Sequence, residues 1–215
     1  MLAACLIALA ALAACSSAPP PVETKVEKKA PAAPAKPPEE YRVRLETNEG
    51  AIVIAVHRTW APRAADHFYD LVTQRFYDGS RFHRVVYPFI AQWGVAARPE
   101  INAIWNVANI PDESQPAVSK NKLGTVAFAK LGPGTRATQV FINLKNNPNL
   151  DKEGFFPFGE VTEGMDVVKK LYSFYGEPAP KGKGPDPARL EREGEAYLAA
   201  EFPRLDKIER AVILP

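Results

Sequence analysis

From Tyr41 onward, apolar and polar residues alternate with a period of two. Tyr41, Val43 and Leu45 are interleaved with Arg42, Arg44 and Glu46. Asn48-Glu49-Gly50 supplies a turn, and Ile52, Ile54 and Val56 resume the alternation, which predicts a β-hairpin. The period then lengthens. Pro62 suits the first turn of a helix, and Ala65, Phe68, Leu71 and Val72 line one face of it until about Thr73. Asp78-Gly79-Ser80 turns the chain into a strand that begins at Arg81, and further strands are predicted at 124–129, 139–144 and 158–161. Gly164 opens a second amphipathic helix to about Tyr172, burying Met165, Val168 and Leu171, while 95–122 reads as mostly loop. Short strands with two isolated helices predict a mainly β fold, a closed sheet capped at its ends.

The pattern is looser at both ends of the chain. Residues 176–186 form a Gly/Pro/Lys loop. Pro187 then starts a helix carrying Leu190, Tyr197 and Leu198 on one side, Phe202-Pro203-Arg204-Leu205 breaks it, and Ala211-Val212-Ile213-Leu214 reads as a closing strand. On this reading the extension from about 176 lengthens the route to the last strand. At the other end, residues 16–40 hold seven prolines, five alanines, four lysines and four glutamates, with no aromatic. Such a segment cannot bury enough apolar surface to offset its ordering entropy, so it is expected to be a disordered spacer. In polyproline-like extension it would reach on the order of 75 Å.

Residues 2–14 are all Ala, Leu, Ile or Cys. Thirteen helical residues span about 20 Å, short of a hydrocarbon core of ~30 Å, so the run reads as the apolar part of a signal peptide. It ends in Leu12-Ala13-Ala14-Cys15-Ser16-Ser17, which resembles a bacterial lipobox, although no Lys or Arg precedes it. The resemblance implies lipidation of Cys15, a membrane anchor and a periplasm-facing domain at 41–215. Ser16 in place of aspartate points to the outer membrane by the same resemblance.

Composition narrows the chemistry. Both cysteines, Cys5 and Cys15, fall in the first fifteen residues, which excludes a disulfide scaffold or a Cys-ligated zinc site in the remainder. His57, His67 and His83 do not sit at metal-ligand spacing, and no cofactor motif is present. A net charge of +2 without a basic stripe argues against nucleic-acid binding.

Two segments carry candidate chemistry. The first is Phe82-His83-Arg84-Val85-Val86-Tyr87-Pro88-Phe89-Ile90-Ala91-Gln92-Trp93-Gly94. The second is Phe128-Ala129-Lys130-Leu131-Gly132-Pro133-Gly134-Thr135-Arg136-Ala137-Thr138-Gln139-Val140-Phe141-Ile142-Asn143. In this order and at this separation they resemble the two signature segments of the cyclophilins, the peptidyl-prolyl cis-trans isomerases. The resemblance covers roughly residues 41–175. It implies an eight-stranded antiparallel closed barrel with a helix over each mouth, to which this chain adds a C-terminal helix. It also implies action on proline-containing polypeptides, as a monomer and without metal or cofactor.

Residue roles follow from the same resemblance. Arg84 is the donor to the prolyl nitrogen, and Gln92 holds the substrate carbonyl. Phe89, Ile90, Phe141 and Leu150 form an apolar cup for the proline ring. Ala129 and Gln139 contact the residue before the proline, and Lys130 contributes through its main chain. Phe155 is the nearest match to a histidine common in the family. Asn149 stands where many relatives carry Trp or Phe at the rim, which implies weakened cyclosporin binding. His83 reads as structural, pointing away from Arg84 by strand alternation. Two other readings stay open: a module that holds Pro-containing segments with little turnover, and an envelope scaffold using the tether and the tail helix.

Overall fold

The computed structural model describes residues 37–114 and 117–215. The expected signal peptide, Cys15 and nearly all of the spacer lie outside the described residues. The predicted hairpin is present as β1 (Glu40–Thr47) and β2 (Gly50–His57), paired from Glu40↔His57 to Thr47↔Gly50. Its first strand begins one residue inside the predicted spacer. Tyr41, Val43, Leu45, Ile52, Ile54 and Val56 are buried, as their alternation demands.

Helix α1 (Pro62–Thr73) has proline at its start and buries Ala64, Ala65, His67, Phe68, Leu71 and Val72. Each large apolar side chain removed from water here contributes about 1.5–3 kcal/mol. The following strands are short: β3 (Arg84–Val86) and β4 (Ile90–Trp93). Helix α2 (Pro99–Trp105) then occupies a stretch expected as loop. After β5 (Thr125–Phe128) and β6 (Val140–Asn143) comes a second unexpected helix, α3 (Pro148–Lys152). Neither is long enough to nucleate alone, so helical periodicity could not announce them. Tertiary contacts hold α2 instead: buried Asn102 accepts from Ala96 N and donates to the Glu191 carbonyl.

Strand β7 (Pro157–Glu163) leads to α4 (Met165–Lys170), which ends earlier than predicted and buries Val167 and Val168, with Met165 only half-buried. The tail helix α5 (Pro187–Glu201) is not continuous. Gly194 breaks it at φ 58°, ψ −138°, because the backbone there rests on Ala97. A Cβ at Gly194 would stand 2.6 Å from the Ala97 carbonyl, and Glu195 N donates to that same oxygen. The chain closes with β8 (Ile208–Leu214), which pairs with β1.

The eight strands form one antiparallel sheet in the order β3-β4-β6-β5-β7-β2-β1-β8. The segments just ahead of the two outermost strands meet, with an Arg81↔Lys207 bridge and a bond from Phe82 N to the Asp206 carbonyl. All eight strands send side chains into one core, from Val43 and Ile54 through Val85, Trp93, Phe128, Ile142 and Phe158 to Ile208. Sharing a single core requires the sheet to curl around it. The extension builds a smaller core of its own, with Leu190, Tyr197, Leu198, Phe202 and Leu205 packed on Val95.

Candidate active site

Strand alternation divides the sheet residues between two sides. In β4, Ala91 and Trp93 enter the main core, while Ile90 and Gln92 face the other way. Phe141 in β6 and Ala127 in β5 join Ile90 on that outer side, where Leu150 from α3 completes a second apolar cluster. Phe89, Ala129 and Phe155 pack against it. These residues floor a groove of about 620 Å³ that all ten expected site residues line, namely Arg84, Phe89, Ile90, Gln92, Ala129, Lys130, Gln139, Phe141, Leu150 and Phe155.

Polar order in the groove starts from strand register. Arg84 stands opposite Gln92 across β3 and β4. Its Nη1 donates to Gln92 Oε1 at 2.8 Å, and Gln92 Nε2 donates to Gln139 Oε1 at 2.8 Å. The guanidinium also lies 5.9 Å from the centre of the Phe89 ring. Gly94 lets the end of β4 approach Gln139 closely: at φ 112°, its Cβ would meet the Thr138 carbonyl at 2.4 Å. The Thr138 hydroxyl donates back to the Gly94 carbonyl at 2.7 Å.

The aromatic wall is tied down as well. Phe141 and Phe155 meet edge to face at 5.7 Å. The Lys130 ammonium lies 5.5 Å from the Phe155 ring centre, so its side chain contributes alongside its backbone. Asn149 is exposed and lines an adjoining depression with Phe89 and Leu150 rather than the groove itself. His83, expected to point away from Arg84, is buried just ahead of β3. Burial pushes its pKa down to about 4, so the ring is neutral at physiological pH.

Sequence reading missed three parts of the site. A chain of buried amides sets the groove loops: Asn147 donates to the Phe89 carbonyl and to Asn143 Oδ1, and Asn143 donates to Asn121 Oδ1. Asn121 in turn donates to Asp151 and to the Phe155 carbonyl. Only the polar Asn143, on the Phe141 face of β6, hinted at this. Secondly, Pro187 and Glu191 of α5 line the groove, together with Asn106 and Asn109. Finally, Glu177 in the loop between α4 and α5 grips Arg84, with Nε donating to Oε2 and Nη2 to Oε1, both at 2.7 Å. That contact holds the Glu177 pKa below the usual carboxylate value, despite an opposing effect of burial. No spacing in the sequence signals a pair 93 residues apart.

Comparison with known proteins agrees with this arrangement. Residues 42–186 match the family described as cyclophilin type peptidyl-prolyl cis-trans isomerase/CLD. Peptidyl-prolyl cis-trans isomerase-like 3 of Gibberella zeae is 33% identical over 158 residues, covering 69% of this chain and 92% of the relative. Peptidyl-prolyl cis-trans isomerase cyp18 of Streptomyces antibioticus is 35% identical over 137 residues, 60% of this chain and 81% of the relative. Among solved structures, a cyclophilin type isomerase of Cryptosporidium parvum superposes with a TM-score of 0.60 at 22% identity, covering 82% of this chain and 98% of that one. The same protein in the presence of the dipeptide Ala-Pro gives 0.59, with 81% and 99% covered. A match over more than half of the chain, joined to this fold, shows that the chain belongs to the cyclophilin-type peptidyl-prolyl cis-trans isomerases.

Proposed function

We propose that this isomerase turns X–Pro bonds in the groove with Arg84 as the donor to the prolyl nitrogen. The observation that carries the assignment is a guanidinium, held by Gln92 at 2.8 Å, beside an apolar cluster that floors a groove of about 620 Å³. Amide resonance sets a barrier of ~18–20 kcal/mol to rotation. At the twisted transition state the prolyl nitrogen loses conjugation and becomes pyramidal and basic. A donor near that nitrogen binds the twisted amide better than either planar isomer, and only such differential binding accelerates the reaction.

Magnitudes divide the work. A gain of five decades needs about 7 kcal/mol. One charged hydrogen bond contributes ~1.5–3 kcal/mol. The remainder falls to orientation by Phe89, Ile90, Phe141 and Leu150 and to Gln92 holding the substrate carbonyl. Gln139 and Ala129 meet the residue before the proline, with Lys130 and Phe155 at the edge. An Ala-Pro unit, the dipeptide present with the Cryptosporidium parvum relative, is the minimal ligand for such a groove.

The cellular setting is part of the same proposal. The lipobox-like Leu12-Ala13-Ala14-Cys15 and the proline-rich 16–40 support a lipid anchor at Cys15, with the isomerase tethered on the periplasmic side, assisting the folding of exported or envelope proteins. Two chains attached at one cysteine suffice for stable anchoring. Intact mass of the membrane fraction tests this: unmodified Cys15 in the mature protein defeats the anchor.

Exchange NMR of an Ala-Pro peptide tests the chemistry. Wild type is expected to broaden and exchange the cis and trans resonances, and Arg84→Ala to lose most of that exchange while still binding peptide. Equal rates in the two proteins overturn the role of Arg84. Binding without exchange in wild type favours a holding module instead.

A further inference from the structure

We propose that Glu177, delivered by the C-terminal extension, is the positioning residue that fixes the Arg84 guanidinium for catalysis, an inference that rests on the isomerase reading above. A guanidinium has five N–H donors. Glu177 takes one on Nε and one on Nη2, and Gln92 takes one on Nη1. One N–H on each Nη is then left over from these three bonds for the substrate. Glu177 and Gln92 bind different nitrogens, so together they fix both the plane of the group and its rotation within that plane. An arginine held on one side only would turn about its flexible stem, and misorientation of a catalytic group is costly.

Three observations separate positioning from obstruction. Glu177 is not among the residues lining the groove, whereas Arg84 is, so the carboxylate grips the guanidinium from outside the substrate space. The ion pair is only partly shielded, with Arg84 24% and Glu177 27% exposed, and the lowered pKa keeps the carboxylate charged at neutral pH. The loop is also built around Glu177. Gly184 N donates to its carbonyl at 2.8 Å, and a Cβ at Gly182 would stand 2.2 Å from that oxygen. Lys183 N bonds to the Tyr175 carbonyl, fastening the loop on the other side of Glu177. The extension therefore does more than lengthen the path to β8.

The test uses the full chain, with wild type, Glu177→Ala, Glu177→Gln and Arg84→Ala. The readouts are kcat and KM for an Ala-Pro peptide by exchange NMR, and the ¹H–¹⁵N resonance of Arg84 Nε. In Glu177→Ala, kcat is expected to fall on the order of tenfold, with KM within about twofold because the apolar cup is untouched. The Arg84 Nε–H signal should lose its carboxylate-bonded shift and its protection from exchange with water. Glu177→Gln keeps the side-chain shape and one acceptor, so it should recover part of kcat and of that signal. A lower melting temperature with kcat unchanged means that Glu177 serves the extension's stability alone, and that result overturns the proposal. A raised kcat does so too, showing that the carboxylate drains the guanidinium's field. If Arg84→Ala equals wild type, it is the isomerase assignment of Arg84 that fails, and the two failures are thus distinguishable.

Discussion

Arg84 and Gln92 face each other in the antiparallel register of β3 and β4, joined by a 2.8 Å bond from Nη1 to Oε1. Eight residues separate them in the chain, and a short strand-to-strand return is enough to bring donor and amide together. Lysine in place of Arg84 keeps the charge but offers a single ammonium on a flexible stem. It could not serve Gln92, Glu177 and the substrate nitrogen in one plane. Arg84→Lys is therefore expected to recover little of the rate lost in Arg84→Ala, measured as kcat in the peptide exchange assay.

Phe89 should behave differently. Its ring borders the groove beside Arg84 without reaching a reacting atom as a donor. Phe89→Ala is expected to raise KM on the order of tenfold, roughly 1.4 kcal/mol of lost apolar contact. A large fall in kcat at unchanged KM would count against the cup.

Glu113 is nearly buried and pairs with Arg136, which is buried too. Its Oε1 also accepts from Ala64 N at 3.0 Å, and its Oε2 from Arg63 N, at the start of α1, where Ala61 offers no side-chain cap. Glu113→Ala thus takes the nearest carboxylate from a buried guanidinium, leaving it Asp112 at 3.6 Å and the Pro111 carbonyl, and uncaps a helix, with an expected cost of about 2–4 kcal/mol in denaturant unfolding. Arg136→Met combined with Glu113→Leu should cost clearly less, because the buried charges go together and the Asp112 carboxylate that remains is partly exposed.

Acid should destabilise the fold through its buried histidines. Burial holds the His83 pKa at about 4 in the folded state, against about 6.5 in an unfolded chain. The unfolded state therefore binds more protons between these values, so stability is full above about pH 6.5 and lost as the pH falls toward 4. Burial lowers the His67 pKa as well, adding to the same trend. His83→Gln is expected to flatten the dependence of unfolding free energy on pH in this window. An unchanged slope would show that His83 titrates alike in the folded and unfolded chain.

The hairpin and α1 were legible because local periodicity encodes them. Arg84, Gln92 and Phe141 were instead picked out by resemblance to the cyclophilin signature segments, and the single strand expected from Arg81 is in fact β3 and β4. Alternation told which side chains of the hairpin share a face, and the fold then puts Ile90, Gln92 and Phe141 on one face of β4 and β6. Three things had no such signature. Helices α2 and α3 are too short for periodicity and depend on distant partners such as Glu191. The break in α5 arises from Ala97 pressing on Gly194, a contact between segments nearly a hundred residues apart. The grip of Glu177 on Arg84 and the cap of Glu113 on α1 likewise join residues that only the folded chain brings within hydrogen-bond range. By itself, then, the sequence determined the first hairpin, α1 and, through its resemblance to a family, which residues to look for in the groove. The tertiary structure decided which distant charges and amides hold those residues in place, because pairing energy depends on distance in space and leaves no period along the chain.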